Sequence, residues 1–287
     1  MLLLTLLKAS IAVLILSIGM SATIDDLTFL WRRPILLLKS TVAMYVVIPV
    51  VVVLMTRLLS LPPKTELALM VLAICAGAPL LPKKLIKFGG DPAFVFSLVA
   101  TTSVFAVVTV PASLYLLENF IHIDSAMATP VQVAHVIFKS FLLPLGLGMA
   151  IRWALPERSE RIGDLLMKIA GTAMALAGLV ILAVGLRLVV AVGLPTILAF
   201  GGFALAAIVI GHLFGGPDEL NRTSMAVACA SRHIGLALLI AAHAPGRETL
   251  ALVVAYLLAS AIVSILYVRW MMKRRADGKR TGSSVRQ

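Results

Sequence analysis

The sequence predicts an all-α integral membrane protein of nine transmembrane helices, arranged as two inverted repeats with two broken helices. Three observations carry this. Apolar residues fill 61% of the 287 positions and charged residues only 13%, against roughly 25% charged in a soluble domain. The excess lies in runs of about 18 residues or more, the length that crosses a bilayer. Two of these runs are interrupted, one by Gly77, Pro79 and Pro82 and the other by Arg232 and His233.

Taken in order, the spans lie near 3–21, 34–55, 66–82, 92–117, 131–154, 163–185, 190–213, 222–242 and 248–270. Each suits a ~30 Å hydrocarbon core at ~1.5 Å per residue. The first 20 residues have no basic stretch ahead of the apolar run and no small-residue cleavage site, so they read as a span and not as a signal peptide. Asp25 and Asp26 follow it as loop or capping residues. The connections leave no room for a soluble domain between spans.

Basic residues set the orientation. With the C-terminus in the cytoplasm, 18 of the 25 Lys and Arg residues lie inside and five outside. Lys139 and Arg232 fall within spans. This is the positive-inside pattern, and it predicts a multi-pass protein of the cell (inner, cytoplasmic) membrane with its N-terminus outside. The stretch 271–287 reads as a basic, disordered cytoplasmic tail that anchors on anionic lipid. Four spans fall in 1–118, with the broken span at 66–88, and five in 119–270, with the broken span at 222–243. An odd block gives halves of opposite orientation, a common transporter plan with its site at the repeat interface.

The breaks are the candidate site. Gly and Pro in an apolar span free backbone groups that lipid cannot satisfy, and such backbone is tolerated only inside protein or a watery cavity. The first break offers Cys75, Gly77, Pro79, Pro82, Lys83 and Lys84, with Lys87 nearby. The lysines either snorkel at the cytoplasmic end of the span or line a cavity that favours an anion. The second offers Ser231, Arg232, His233 and Gly235. An Arg at that depth costs about 3 kcal/mol. It either ties helices together or binds an anion. His233 is either a proton shuttle or a packed polar residue. Lys139, His212 and His243 read as interfacial, the methionines as packing, and Cys75 and Cys229 as small buried residues, in contact only if the two breaks cross.

Other classes find no support. The charge of +12 has no interleaved aromatic residues that would suggest nucleic acid. The sequence carries no GxxxxGK[ST] loop for ATP and no His/Cys/Glu set at metal spacing. An enzyme is not expected, and no cofactor beyond Na⁺ or H⁺ as a coupling ion.

Six stretches together resemble the bile acid:sodium symporter family over nearly the whole chain. They are ILSIGMSATIDDLTFLWRRP, CAGAP before GGD, FSLVATTSVFAVVTVP, KSFLLPLGLGM, IGLALLIAAH, and Pro49 with the Leu61–Pro62 pair. The resemblance implies ten helices in two inverted five-helix repeats, a panel and a core domain, and two crossover helices in the core. It also implies that the counterpart of the first helix is missing here. The family's sodium ligands fall on residues of the 81–84 region, on Met44, Ala228, Arg232 and His233, and on the hydroxyls of Ser97 and Thr101. Only the last two positions keep a sodium ligand; ammonium and guanidinium supply none. The expected function is secondary transport of a small organic anion, with sodium replaced by tethered cations or with proton coupling through His233. A degenerate sodium site using Ser97 and Thr101, and a non-transporting sensor or assembly partner, are the alternatives.

Overall fold

The computed structural model describes residues 2–76, 91–121, 130–233, 236–237, 240 and 248–284, and among these every regular element is helical. Helix α1 runs Leu2–Ser21 and is followed by the short α2, Ile24–Thr28. Helix α3 runs Pro34–Leu58, α4 Pro63–Ile74 and α5 Pro92–Ile121. Helix α6 proceeds from Pro130–Ile137 into Leu143–Ala154, α7 is Pro156–Val192 and α8 Leu194–Phe214. Helix α9 is Glu219–Ala230 and α10 Glu248–Ser284.

Among the described residues five helical stretches are long and apolar enough to cross a membrane: Pro34–Leu58, Pro92–Leu116, Ala134–Ala154, Leu194–Phe214 and Leu252–Arg275. Their outer faces support the same reading. On α8, Leu194, Leu198, Leu205, Val209 and Leu213 are all exposed. Such a stripe on one helix is anomalous in water and ordinary against lipid tails.

Local chemistry shapes the helices. Pro34, Pro63 and Pro156 sit in first turns, where a missing N–H is lost from no ladder. Pro49 and Pro144 are interior to α3 and α6, and each follows a π-helical turn, Ala43–Val47 and Phe138–Leu142. The wider turn takes up the ladder position that the proline cannot fill. Asp26 closes a capping box with Thr23 at the start of α2, and Asp25 pairs with Arg32, so both are loop and cap residues as the sequence suggests.

One expectation is corrected. The stretch after 270 is not disordered through its length, since α10 continues to Ser284. It has no proline, and two of its arginines find partners on helical surfaces. Arg274 lies over the Trp270 ring one turn back, 5.6 Å from its centroid, and Arg275 reaches Thr223 Oγ1 at 2.8 Å and the Glu219 carboxylate at 3.5 Å.

Packing divides into two buried clusters. The larger joins α3, α4, α5, α8, α9 and α10 around Phe94, Phe203, Tyr256 and the residues 68–76. The smaller gathers Ile15, Ile18 and Ala22 with Phe141 and Leu145 of α6 and Phe96 and Val99 of α5. In the smaller one α1 packs on both α6 and α7. There Gly19 and Gly148 let the backbones of α1 and α6 touch: a Cβ on Gly148 lands 2.1 Å from the Leu16 carbonyl oxygen, and one on Gly19 2.3 Å from that of Leu145. Small residues at such crossings are how membrane helices gain close contact where no hydrophobic effect drives them together.

Gly148→Ala should therefore destabilise the protein by about 1–3 kcal/mol, the usual cost of overpacking. Gly146→Ala, two residues away with open space around its Cβ, should be neutral or stabilising by up to ~1 kcal/mol. Thermal unfolding midpoints of the two variants in detergent check this, and equal midpoints would contradict the crossing.

Candidate functional site

Both interrupted helices stop in the larger cluster. Helix α4 ends at Ile74. Cys75 then takes φ −80°, ψ 62°, and the Ala76 amide donates to the Ile74 carbonyl at 2.9 Å. These are the angles and the bond of an inverse γ-turn. Helix α9 ends at Ala230, where Ser231 turns extended (φ −85°, ψ 129°) while its amide still bonds the Val227 carbonyl at 3.0 Å.

The two ends meet. The His233 amide donates to the Cys75 carbonyl at 3.0 Å. A backbone bond between residues so far apart in sequence joins the two breaks directly. His233 also starts the next helical turn: its carbonyl accepts from the Ala237 amide at 3.0 Å and its ring Nδ1 from the Leu236 amide at 3.2 Å. The side chain thus acts as an N-cap. Because Nδ1 accepts, the neutral ring carries its proton on Nε2, an atom that is buried without a partner among the described residues.

Arg232 lies between these turns. It is 3% exposed, and its Nε, Nη1 and Nη2 make no hydrogen bond of good geometry among the described residues, although the Tyr256 hydroxyl lies close enough to interact with it. Its guanidinium carbon sits 5.5 Å from the Phe203 ring centroid, within cation–π range. Phe203 stacks on Tyr256 at 5.1 Å, and Phe200 meets Tyr256 edge-on at 5.9 Å. The Tyr256 hydroxyl donates to the Ala230 carbonyl at 2.6 Å, taking up one of the carbonyls freed at the end of α9. Cys75, Cys229, Tyr45 and Tyr256 all lie within electrostatic reach of the Arg232 charge. Each helix end contributes about half a negative charge at its C-terminus, and α4 and α9 both end here. The junction is a pre-formed place for positive charge, and Arg232 occupies it.

The residues singled out in the sequence fall into distinct groups. Cys75, Ser231, Arg232 and His233 come together. Gly77, Pro79, Pro82, Lys83, Lys84, Gly235, Lys87 and His243 lie outside the described residues. Ser97 and Thr101 fasten α2 and the turn after it to α5. Ser97 Oγ donates to the Leu27 carbonyl at 2.8 Å and accepts from the Leu30 amide at 2.9 Å, and Thr101 Oγ1 accepts from Trp31 Nε1 at 3.1 Å. Lys139 is exposed in the π-helical turn of α6, and His212 Nδ1 shares a 2.6 Å hydrogen bond with the Tyr267 hydroxyl. Met44 and Ala228 are buried apolar residues and offer no hard oxygen from their side chains.

Phe200, Phe203 and Tyr256 do not stand out in the sequence. An intramembrane Tyr is a usable signal, since a buried phenol needs a partner, but a Phe wall is indistinguishable from ordinary core.

Residues 9–192 match the model of the Sodium Bile acid symporter family. No curated protein matches the chain.

Ser97→Ala should cost about 1–3 kcal/mol, because it leaves the buried Leu30 amide without its acceptor. The loss should be the same in sodium and in potassium buffer. A sodium-specific change in unfolding temperature would instead make Ser97 an ion ligand.

Proposed function

This chain belongs to the sodium bile acid symporter family, a family of membrane transporters, and we propose that it is a secondary transporter of a small organic anion that works without sodium. The single observation that carries the reading is Arg232: a guanidinium 3% exposed, at the meeting of two helix ends, with no carboxylate partner and no hydrogen bond of good geometry to its donors among the described residues. A buried unpaired charge costs about 3–5 kcal/mol. Folding tolerates it where the charge has a use, and intramembrane ionisable residues are functional by default.

The chemistry follows from the donor set. Guanidinium presents five N–H groups in a planar fork and binds carboxylate, sulfonate or phosphate through two of them at once. The Nε2–H of His233 adds a neutral donor close by in sequence. Phe203 and Tyr256 supply an apolar wall for the remainder of such a molecule. Sodium needs several hard oxygens, and here Met44 and Ala228 supply none from their side chains, while the hydroxyls of Ser97 and Thr101 bond α2 and its turn. In this reading Arg232 stands at the ion's electrostatic position as a cation that never leaves the protein.

The finer architecture belongs to the same proposal. Residues 1–118 and 119–270 are two inverted repeats within nine spans, 74–87 and 228–243 are the crossover segments, and the hydrogen bond from His233 to Cys75 supports their crossing. Lys83 and Lys84, outside the described residues, belong to the anion site in the same reading. The protein resides in the cell membrane with its N-terminus outside and its basic C-terminal tail at the anionic cytoplasmic leaflet, a placement the segregation of Lys and Arg supports. Proton coupling through His233 is the weaker variant, since a proton on Nδ1 removes the cap acceptor for Leu236.

In proteoliposomes, uptake of small carboxylates and sulfonates should proceed equally with and without a sodium gradient. Strict sodium dependence would sink the reading. Arg232→Ala should weaken anion binding about 10- to 100-fold, the worth of charge-assisted hydrogen bonds, and Arg232→Lys should recover it only partly. The ligand-free Arg232→Ala protein should unfold close to the wild-type temperature, because relief of a buried charge offsets the loss of the cation that faces two helix C-termini. A lower midpoint would make Arg232 a structural tie. Uptake that is flat between about pH 5 and 8 removes His233 as a proton carrier.

A further inference from the structure

Away from the helix breaks, a chain of polar side chains joins α8, α9 and α10 where α10 leaves its membrane-length stretch, Leu252–Arg275. His212 Nδ1 shares its 2.6 Å bond with the Tyr267 hydroxyl. Tyr267 lies within interaction distance of Thr223. Thr223 Oγ1 donates to the Glu219 carbonyl at 2.8 Å and accepts from Arg275 Nη2 at 2.8 Å. Arg275 also donates to the Glu219 carbonyl at 3.0 Å, and its Nε stands 3.5 Å from the carboxylate of the same residue. These contacts dock the far end of α10 on the start of α9. The same α10 holds the other end of α9 through Tyr256 and the Ala230 carbonyl.

One member of the chain, His212, ordinarily changes charge between about pH 5 and 8. Its surroundings are mostly cationic. Arg222 and Glu219 of α9 and Arg274 of α10 lie within electrostatic reach of it. Arg222 is held in place, since its Nε donates to the Gly216 carbonyl at 2.6 Å. Arg274 rests on the Trp270 ring. Glu219, the one carboxylate of the set, is already shared with Arg275. Helix α3 also packs on α8, and at this end it carries Lys39, exposed and again cationic. The hydrogen bond has a direction as well. A phenol is the more acidic donor and a neutral imidazole nitrogen the better acceptor, so Tyr267 donates and Nδ1 accepts. A second ring proton turns Nδ1 into a donor. Tyr267 must then aim its own proton elsewhere, and the hydroxyl beside it, Thr223 Oγ1, already takes Arg275.

We propose that these groups form a pH-sensitive latch with His212 as its trigger. While the imidazole is neutral, the end of α10 stays docked on α9. Protonation sets a fourth cation beside Arg222, Arg274 and Arg275, with Glu219 alone to balance them, and withdraws the acceptor that fixes Tyr267. The added proton favours release, so docking weakens as pH falls. The extension beyond Arg275 is too short to hold a helix by itself, and once released it frays. The start of α9 then loses a restraint while its other end remains tied to Tyr256. The latch is independent of what the protein transports.

The test follows hydrogen exchange of residues 276–284 in the full chain in nanodiscs from about pH 5 to 8, with each rate corrected for the intrinsic pH dependence of exchange. Protection of these amides reports local opening of the docked end. Wild type should lose protection about tenfold toward acid, the effect of one proton bound more tightly by one pH unit in the released state. His212→Gln and His212→Asn keep an amide acceptor for Tyr267 and stay neutral. Both should hold the same protection at every pH, and either carries the test if the other does not fold. A corrected wild-type profile that is flat overturns the proposal. So does an acid transition of the same size in the neutral variants, which would assign it to a carboxylate such as Glu219.

Discussion

The amide of His233 bonded to the carbonyl of Cys75 is the constraint on which the centre of this protein depends. In hydrocarbon no water repairs a broken helix, so each freed N–H or C=O must find a partner in the protein. Two helices broken separately would each leave such groups stranded. Broken together, they satisfy part of the need in one another: Cys75 turns through its γ-turn, His233 caps the next segment, and Tyr256 takes the carbonyl of Ala230. The remaining polarity of two helix ends is negative, which is why an arginine is tolerated there and an aspartate is not expected.

Much of this was legible from residue types. Long apolar runs, basic residues at their ends, and Gly, Pro or Arg inside two of them are features that the bilayer enforces on any sequence. The position of the site followed from the same constraint. The resemblance implied that the two breaks cross, but the bond between His233 and Cys75 was not legible, because a backbone hydrogen bond leaves no mark on side-chain identity. Ser97 and Thr101 show the same limit from the other side. A hydroxyl on a membrane helix looks alike whether it binds an ion or fastens a loop, and here the partner atoms lie 67 and 70 residues away. The π-helical turns before Pro49 and Pro144 were equally hidden, since proline announces a disturbed ladder but not which way the chain absorbs it.

The end of α10 departs from its composition for a related reason. A basic, apolar-poor stretch has the make-up of a disordered segment, yet composition does not report a neighbouring helix start that offers acceptors. Glu219 and Thr223 on α9 supply them to Arg275. The same helix start holds Asp218 and Asn221, so α9 carries polar contacts at both of its ends, and its residues 223–230 are all buried.

Helix α5 belongs to both buried clusters at once. Phe94, Val95 and Leu98 face the larger one, and Phe96 and Val99 the smaller. Adjacent residues on one helix are thereby divided between two packed bodies, with α2 clipped alongside by Ser97 and Thr101. A rigid-body displacement of one cluster against the other cannot leave this helix out. It must either travel with one partner and shear its contacts with the second, or roll between them. Side chains such as Phe96 and Val99 are then bearing surfaces, for which smoothness matters more than tight interlock, and a bulkier side chain there would act as a brake without touching the arginine at the centre.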